Sequence, residues 1–300
     1  MDFKTYQTAA STSDQVPTGD HSVIVPLLGL AGEAGSLLVA QKKFLRDGPA
    51  HRLFREEVAE ELGDLLWYIS NLATKFDLDL ETIAAANLRK TQERWPSQPP
   101  EGPGLFGAPL FDEAYPAEEQ FPRRFTAEIR QVAVEDGKPR IVFSVDGKQI
   151  GNELKDNAYF DDGYRFHDVI HLAHVAMLGW SPVVRGLMRR KRKSDPEVDD
   201  VEDGGRAIVI DEAIVAYVFD YARRHDFLEG VDSLDYNLLK TIRHLTSGLE
   251  VAARSTHEWE QAILAGYRVW REIRAVGGGI VRVDLLTRQI EAIPPAEQHD

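Results

Sequence analysis

The chain of 300 residues contains no cysteine, which excludes disulfides, thiolate zinc centres, iron–sulfur clusters and a cysteine nucleophile. Any bound metal must therefore take oxygen or imidazole ligands. Positive charge is also scarce: 35 Lys and Arg stand against 49 Asp and Glu, a formal net charge of −14 with histidine neutral. Such a surplus repels polyanions, so bulk attraction to nucleic acid or anionic membranes is excluded and only a local basic patch could restore it. The longest nearly apolar run, Val23 to Gly32, stops at Glu33, short of the ~20 residues of a membrane span. The opening MDFKTYQTAASTSD lacks the basic and apolar regions of a secretory signal. These absences predict a cytoplasmic protein with no membrane partner. The composition that remains, 43% apolar and 28% charged, is that of a folding chain long enough for two domains.

Composition shifts near Trp95, where PSQPPEGPGLFGAPLFDEAYP is too rich in proline and glycine to continue a helix. This predicts an N-terminal domain over 1–98, a linker over 99–120 and a C-terminal domain over 121–300. Apolar spacing predicts helices at 22–45, 51–75 and 79–94, the last capped near Asp79 and Thr82. Beyond the linker, Phe125 to Val134 alternates and Arg140-Ile-Val-Phe-Ser-Val follows a turn, which predicts a hairpin. Helices are expected again at about 163–179, 181–191, 206–225, 235–253 and 256–275, and Ile280 to Leu286 reads as a strand that extends the hairpin. The expected fold is mainly α, an all-α N-terminal domain followed by an α-rich domain with a small sheet. The run Arg189-Arg-Lys-Arg-Lys, followed directly by an acidic stretch, reads as a self-compensating solvated loop.

Chemistry concentrates in Gly29-Leu-Ala-Gly-Glu33-Ala-Gly-Ser36 and Glu56-Glu57-Val-Ala-Glu60-Glu61-Leu-Gly-Asp64. Glu57, Glu60, Glu61 and Asp64 are three or four apart and can line one helical face beside Leu62, Leu65 and Leu66. Carboxylates crowded against apolar surface need a countercharge. Few basic residues are nearby, so a hard divalent cation such as Mg2+, which takes carboxylates together with substrate phosphates, suits them. An acidic helix face simply solvated by water carries the same spacing. Glu33, between glycines that allow close helix packing, adds a second helix to the constellation.

GLAGEAG, the Lys42-Lys43 pair, EELGDLLWYISNLA and DLETIAAANLRKTQERW, in that order, resemble the MazG-type nucleotide pyrophosphohydrolases of the all-α class over roughly residues 20–96. The resemblance implies Mg2+-dependent (or Mn2+-dependent) hydrolysis of a nucleoside or deoxynucleoside triphosphate to monophosphate and pyrophosphate. Matched position by position to the family's Glu-x-x-Glu and Glu-x-x-Asp pairs, Glu33, Glu61 and Asp64 are metal ligands, with Glu57 and Glu60 as further candidates and Glu60 as a candidate base. Ser36 stands where the family carries its second glutamate. Lys42, Lys43, Asn87, Lys90 and Arg94 are the implied triphosphate contacts, and Tyr68, one turn beyond Asp64, is a candidate for the base or sugar. The family's relatives build dimers or tetramers, so a homodimer or homotetramer is expected. The rival reading is a nucleotide-binding sensor, weak in catalysis because of Ser36 and serving a stress or phage response.

In the second domain, Asp162-Gly-Tyr164-Arg-Phe-His167-Asp168-Val-Ile-His171-Leu-Ala-His174 places three histidines at i, i+4 and i+7, on one helical face. With Asp168, and with Asp211 or Glu212 from a later helix, they could hold a transition metal and a second metal-dependent activity. Histidines bonded to carbonyls and carboxylates in a half-buried interface satisfy the same pattern. This stretch resembles the C-terminal region that accompanies MazG-like domains in a group of bacterial proteins, a resemblance that brings no activity with it.

Overall fold

The computed structural model describes residues 1–15, 21–94, 110–132 and 139–293. The chain forms two compact units, Met1–Gln92 and Glu93–Asp300.

In the first unit, α2 (Ile24–Asp47) and α3 (Phe54–Lys75) form a helical hairpin, turned at Gly48, whose φ of 58° ends α2. α4 (Leu80–Arg94) follows, capped as expected by Asp79, whose carboxylate accepts from the Thr82 amide at 2.8 Å. An unexpected helix, α1 (Phe3–Ser11), packs on α3 and begins at Asp2, which accepts from the Thr5 amide at 2.7 Å. Polar bonds tie it down: Gln7 donates to the Leu78 carbonyl at 2.9 Å and accepts from the Leu80 amide at 2.8 Å, and Trp67 Nε1 donates to Ser13 Oγ at 2.8 Å just past its end. The core is small, built of Ala10, Ala40, Leu72, Ala73 and Leu80, while Leu27, Leu28, Leu38, Val39 and Leu45 on α2 stay exposed. Glu33 does not end the apolar character of this helix as the sequence run suggests. Leu37, Leu38, Val39 and Ala40 resume it, and α2 is long and apolar enough by composition to cross a membrane. By itself this single helix is weak support for a span, since the same composition serves a helix that packs on α3.

The second unit is built on a five-stranded antiparallel sheet of order β3-β2-β1-β4-β5, with β1 (Arg124–Val132), β2 (Arg140–Val145), β3 (Lys148–Gln149), β4 (Gly278–Asp284) and β5 (Gln289–Ile293). The hairpin and the late strand fall where the alternation places them, with Ile129 opposite Phe143 and Ala127 opposite Val281. The expected turn at Glu135–Lys138 lies outside the described residues. On β1 the inward side chains Phe125, Ala127 and Ile129 are buried and alternate with exposed ones, period two on a half-covered sheet.

Of the helices, α5 (Asp168–Ala173) and α10 (Thr256–Val276) pack on the sheet, and α6 (Pro182–Leu187), α7 (Pro196–Val201), α8 (Gly205–Arg223) and α9 (Tyr236–Leu245) pack on other helices. The expected helix at 163–179 is broken into a 3-10 turn (Tyr164–Phe166), α5, and a π turn (His174–Leu178) closed by Gly179 at φ 70°. α9 ends earlier than expected, at Leu245. The core gathers around α10, where Trp259, Ile263, Tyr267, Trp270 and Ile273 are buried. α5 packs against α10 at Gly266, where an added Cβ would sit 2.9 Å from the Ala173 methyl.

Two expectations need correction. Residues 110–120 are not linker but belong to the second unit. Asp112 is buried, accepts from the Phe121 amide at 2.8 Å and pairs with Arg123 at 2.6 Å and Arg185 at 3.1 Å. The basic run is not wholly solvated either. Arg192 is buried and pairs with Asp203 at 2.8 Å and Glu250 at 2.7 Å; burial opposes its charge, but these carboxylates raise its pKa above the usual arginine value. Neutralisation that composition placed in water takes place inside the protein.

Candidate functional site

α2 contributes Glu33 and α3 contributes Glu61 and Asp64, and one carboxylate oxygen from each lies within 4.8 Å of the others. Glu61 and Asp64 share a helix face because they are three residues apart, and the α2–α3 hairpin brings Glu33 to that face. Glu33 and Glu61 are half-buried and Asp64 is exposed, so the cluster opens to solvent. Glu61 is held above the ordinary carboxylate range by partial desolvation first, then by Glu33, Asp64 and Glu60 around it. Three hard oxygen donors that repel one another suit a hard divalent cation, and no basic side chain pairs with them among the described residues. Ser36, one turn after Glu33, is half-buried on the same stretch of α2.

The other expected residues divide differently. Glu57 does not join the cluster: its carboxylate accepts from Lys43 at 3.3 Å and meets His51 Nε2 at 3.1 Å, which together hold it below its usual pKa, His51 contributing most. Glu57 is thus paired with Lys43 and His51 rather than gathered with Glu33, Glu61 and Asp64. His51 is a partner that sequence spacing gave no means of finding. Glu60 is exposed beside Glu61, and Lys42 is exposed on α2. The Tyr68 ring lies against Gly29 so closely that a methyl at that glycine would overlap it, which sets Tyr68 in the packing of α3 on α2. Asn87 and Lys90 are exposed on α4, and the Arg94 side chain lies outside the described residues.

In the second unit the histidine stretch is folded around α8. Asp211, fully buried on α8, accepts from His171 Nδ1 at 3.0 Å, His174 Nδ1 at 3.2 Å, Ser181 Oγ at 2.6 Å and, more weakly, the Val183 amide at 3.4 Å. Burial penalises the charge on both partners, but each stabilises the other, so Asp211 is held far below the usual carboxylate range and His171 is raised to about 10. His174, equally buried but carrying its proton next to a charged His171, is pushed down, mainly by desolvation. His167, at the start of α5, meets the Tyr164 carbonyl through Nδ1 at 2.9 Å and stacks on the Tyr164 ring at 4.5 Å. The three histidines therefore do not converge on one point. His167, Asp168 and His171 bring ligand atoms within 4.8 Å of one another, while His174 does so with His171 and Asp211 and packs its ring against Trp259 at 5.2 Å.

A helical unit that draws carboxylates together from two neighbouring helices is the arrangement expected of the all-α nucleotide pyrophosphohydrolases. Residues 27–98 match the MazG nucleotide pyrophosphohydrolase domain and residues 107–296 match the MazG C-terminal domain, and the chain belongs to the MazG family. It is similar to the Gene 37 protein of Mycobacterium phage L5, 40% identical over 101 residues that span 31% of this chain and 89% of that protein. No solved structure matches the chain. The family supports a nucleotide pyrophosphohydrolase activity in general terms.

Proposed function

We propose that the first unit hydrolyses a nucleoside or deoxynucleoside triphosphate between its α- and β-phosphates with Mg2+ held by Glu33, Glu61 and Asp64. The observation that carries this reading is the convergence of those three carboxylates from two helices without a basic partner among the described residues. Magnesium supplies charge neutralisation of the phosphates and acidification of water at such a site; manganese can stand in for it. Glu33, Glu61 and Asp64 bind and orient. Glu60, exposed next to Glu61, is the proposed general base that takes the proton of the attacking water. Lys42, Asn87 and Lys90 are the candidates left to meet the phosphates.

The test is to incubate the full chain with each NTP and dNTP in Mg2+ and to measure monophosphate and pyrophosphate. Glu61→Gln is expected to lower turnover by about 100-fold or more, the scale of losing charge stabilisation in a phosphoryl-transfer transition state. Unchanged turnover in that variant would sink the assignment.

Ser36 favours a second reading, a nucleotide sensor, because it removes one anionic ligand from α2. That reading expects tight nucleotide binding with no pyrophosphate released from any member of the panel. The exposed leucines of α2 support assembly into a homodimer or homotetramer, since a helix face of that character is costly in water. Light scattering on the purified chain checks it, and a monomer would refute it.

A further inference from the structure

We propose that the second unit carries its own metal site, for zinc or a similar transition metal, formed by His167 Nε2, His171 Nε2 and the carboxylates of Asp168 and Glu212. The argument starts from where the imidazole protons sit. A carbonyl oxygen can only accept, so His167 Nδ1, 2.9 Å from the Tyr164 carbonyl, is the nitrogen that carries the proton. His171 Nδ1 donates in the same way to Asp211 at 3.0 Å. In the neutral rings both Nε2 atoms are then lone pairs, and both point at acceptors. His171 Nε2 lies 3.5 Å from Glu212 Oε2, while His167 Nε2 lies 3.7 Å from Asp168 Oδ1 and 4.0 Å from Glu212 Oε2.

The His171 side chain is 0% exposed and its Nε2 makes no hydrogen bond among the described residues. With both rings neutral, two Nε2 lone pairs and two carboxylates call for a cation. A proton on His171 serves one pair, whereas a metal serves all four. Ligand atoms about 2.1 Å from a tetrahedral metal stand about 3.4 Å apart; His171–Glu212 at 3.5 Å is close to that, while His167–Asp168 at 3.7 Å and His167–Glu212 at 4.0 Å must draw together on binding.

The surroundings are those of a built site. Asp211 holds the His171 ring from behind, the carboxylate–histidine arrangement that orients metal ligands, and is itself fixed by Ser181 at 2.6 Å. His174 makes the same Nδ1 bond to Asp211, but its ring packs edge-on against Trp259 at 5.2 Å and not against the His167–Glu212 side. Two imidazoles select against Mg2+ and for a borderline metal, so the donor set differs in kind from the oxygen cluster of the first unit. Glu212 is half-exposed, which leaves one side of the site open to solvent and to a further ligand.

The experiment uses the full chain purified without a histidine tag, stripped with chelator and titrated with Zn2+ in excess Mg2+, which saturates the oxygen cluster. One equivalent of Zn2+ is expected, and Co2+ in its place should show the visible absorption of nitrogen and oxygen ligation. Glu212→Gln should weaken Zn2+ at least about 10-fold and His171→Gln should abolish binding, while Asp211→Asn, acting through His171, should cost about 10- to 100-fold. Glu61→Gln should leave Zn2+ binding unchanged. If His171→Gln fails to fold, Glu212→Gln decides, because its half-exposed side chain can be neutralised without opening the core. Absence of Zn2+ binding by the wild-type chain, or equal binding by Glu212→Gln, would overturn the proposal and leave an imidazolium–carboxylate cluster. Loss of binding in Glu61→Gln would overturn it too, by placing the zinc in the first unit.

Discussion

Asp211→Asn perturbs the most heavily committed side chain of the second unit. The carboxylate receives His171, His174 and Ser181 at 2.6–3.2 Å with no exposure to water. Asparagine keeps the shape but removes the charge and turns one oxygen into a donor, so one of the donors it faces must lose its partner. An orphaned buried donor costs about 1–3 kcal/mol, and breaking a buried pair that holds a charged His171 costs about 3–5 kcal/mol. The two contributions overlap, so about 3–5 kcal/mol is expected in total. For a unit of this size each kcal/mol moves Tm by about 2–4 °C, which predicts a fall of about 6–20 °C. The assay is thermal and urea unfolding of the chelator-treated chain, followed by tryptophan fluorescence, which reports on Trp259 beside His174 and on Trp180 next to it. Asp220→Asn on the exposed face of α8 is the control and should stay within about 0.5 kcal/mol of wild type. A loss below about 1 kcal/mol for Asp211→Asn would refute the view that Asp211 is a charged acceptor holding both rings.

Gly29→Ala should destabilise the first unit by about 1–3 kcal/mol, because the methyl overlaps the Tyr68 ring, and Tyr68→Ala should relieve part of that loss; additive effects measured by urea unfolding would refute the contact. Arg192→Ala should cost about 3–5 kcal/mol by leaving buried Asp203 with only Arg185 at 3.5 Å and half-buried Glu250 without Arg192, checked by the same unfolding transition, and a neutral result would refute the network. Asp161 is held below its ordinary 3.8, chiefly by its bond from Arg165, so its contribution to stability is present above that value and lost as pH falls through the lowered one. The difference in urea midpoint between wild type and Asp161→Asn should therefore be seen at neutral pH and shrink as pH falls below the ordinary 3.8, and a difference that grows in acid would refute the sign.

How far the sequence could be read depended on whether a residue's role is set by its own element. The α2–α3 hairpin and the β1–β2 pair were legible because helical and alternating periods record which face meets the core. α1 was not, since it is tied down by Gln7 reaching Leu78 and Leu80, contacts that leave no period. Spacing put Glu61 and Asp64 on one face together with Glu57 and Glu60, and it was the family resemblance, not the spacing, that singled out Glu61, Asp64 and Glu33, which the structure brings within 4.8 Å of one another. Glu57 shares their helix and obeys the same spacing rule, but Lys43 and His51 on neighbouring segments occupy it. His174 failed in the same way: its spacing puts it with His167 and His171, yet it opens the π turn and is held by Asp211 from α8. Helical spacing says which residues can meet, and the opposite element decides which of them do.

The acidic surplus can be sorted by the same criterion. Asp112, Asp203 and Asp211 are buried, and each has a cation or imidazole of the chain against it: Arg123 and Arg185, Arg192, and His171. Their charge is balanced within the fold, so they are structural whatever the protein binds. Glu33, Glu61 and Asp64 meet one another instead, and Asp168 and Glu212 meet the Nε2 edges of two histidines whose protons are committed elsewhere. At the first of these no cation of the chain stands against the carboxylates among the described residues, and at the second the proposed metal would take the place of a proton on His171. With no thiolate available, an oxygen-only cluster and an imidazole–carboxylate cluster are the two kinds of site such a sequence can build, and they differ enough in hardness to hold different metals in the same solution.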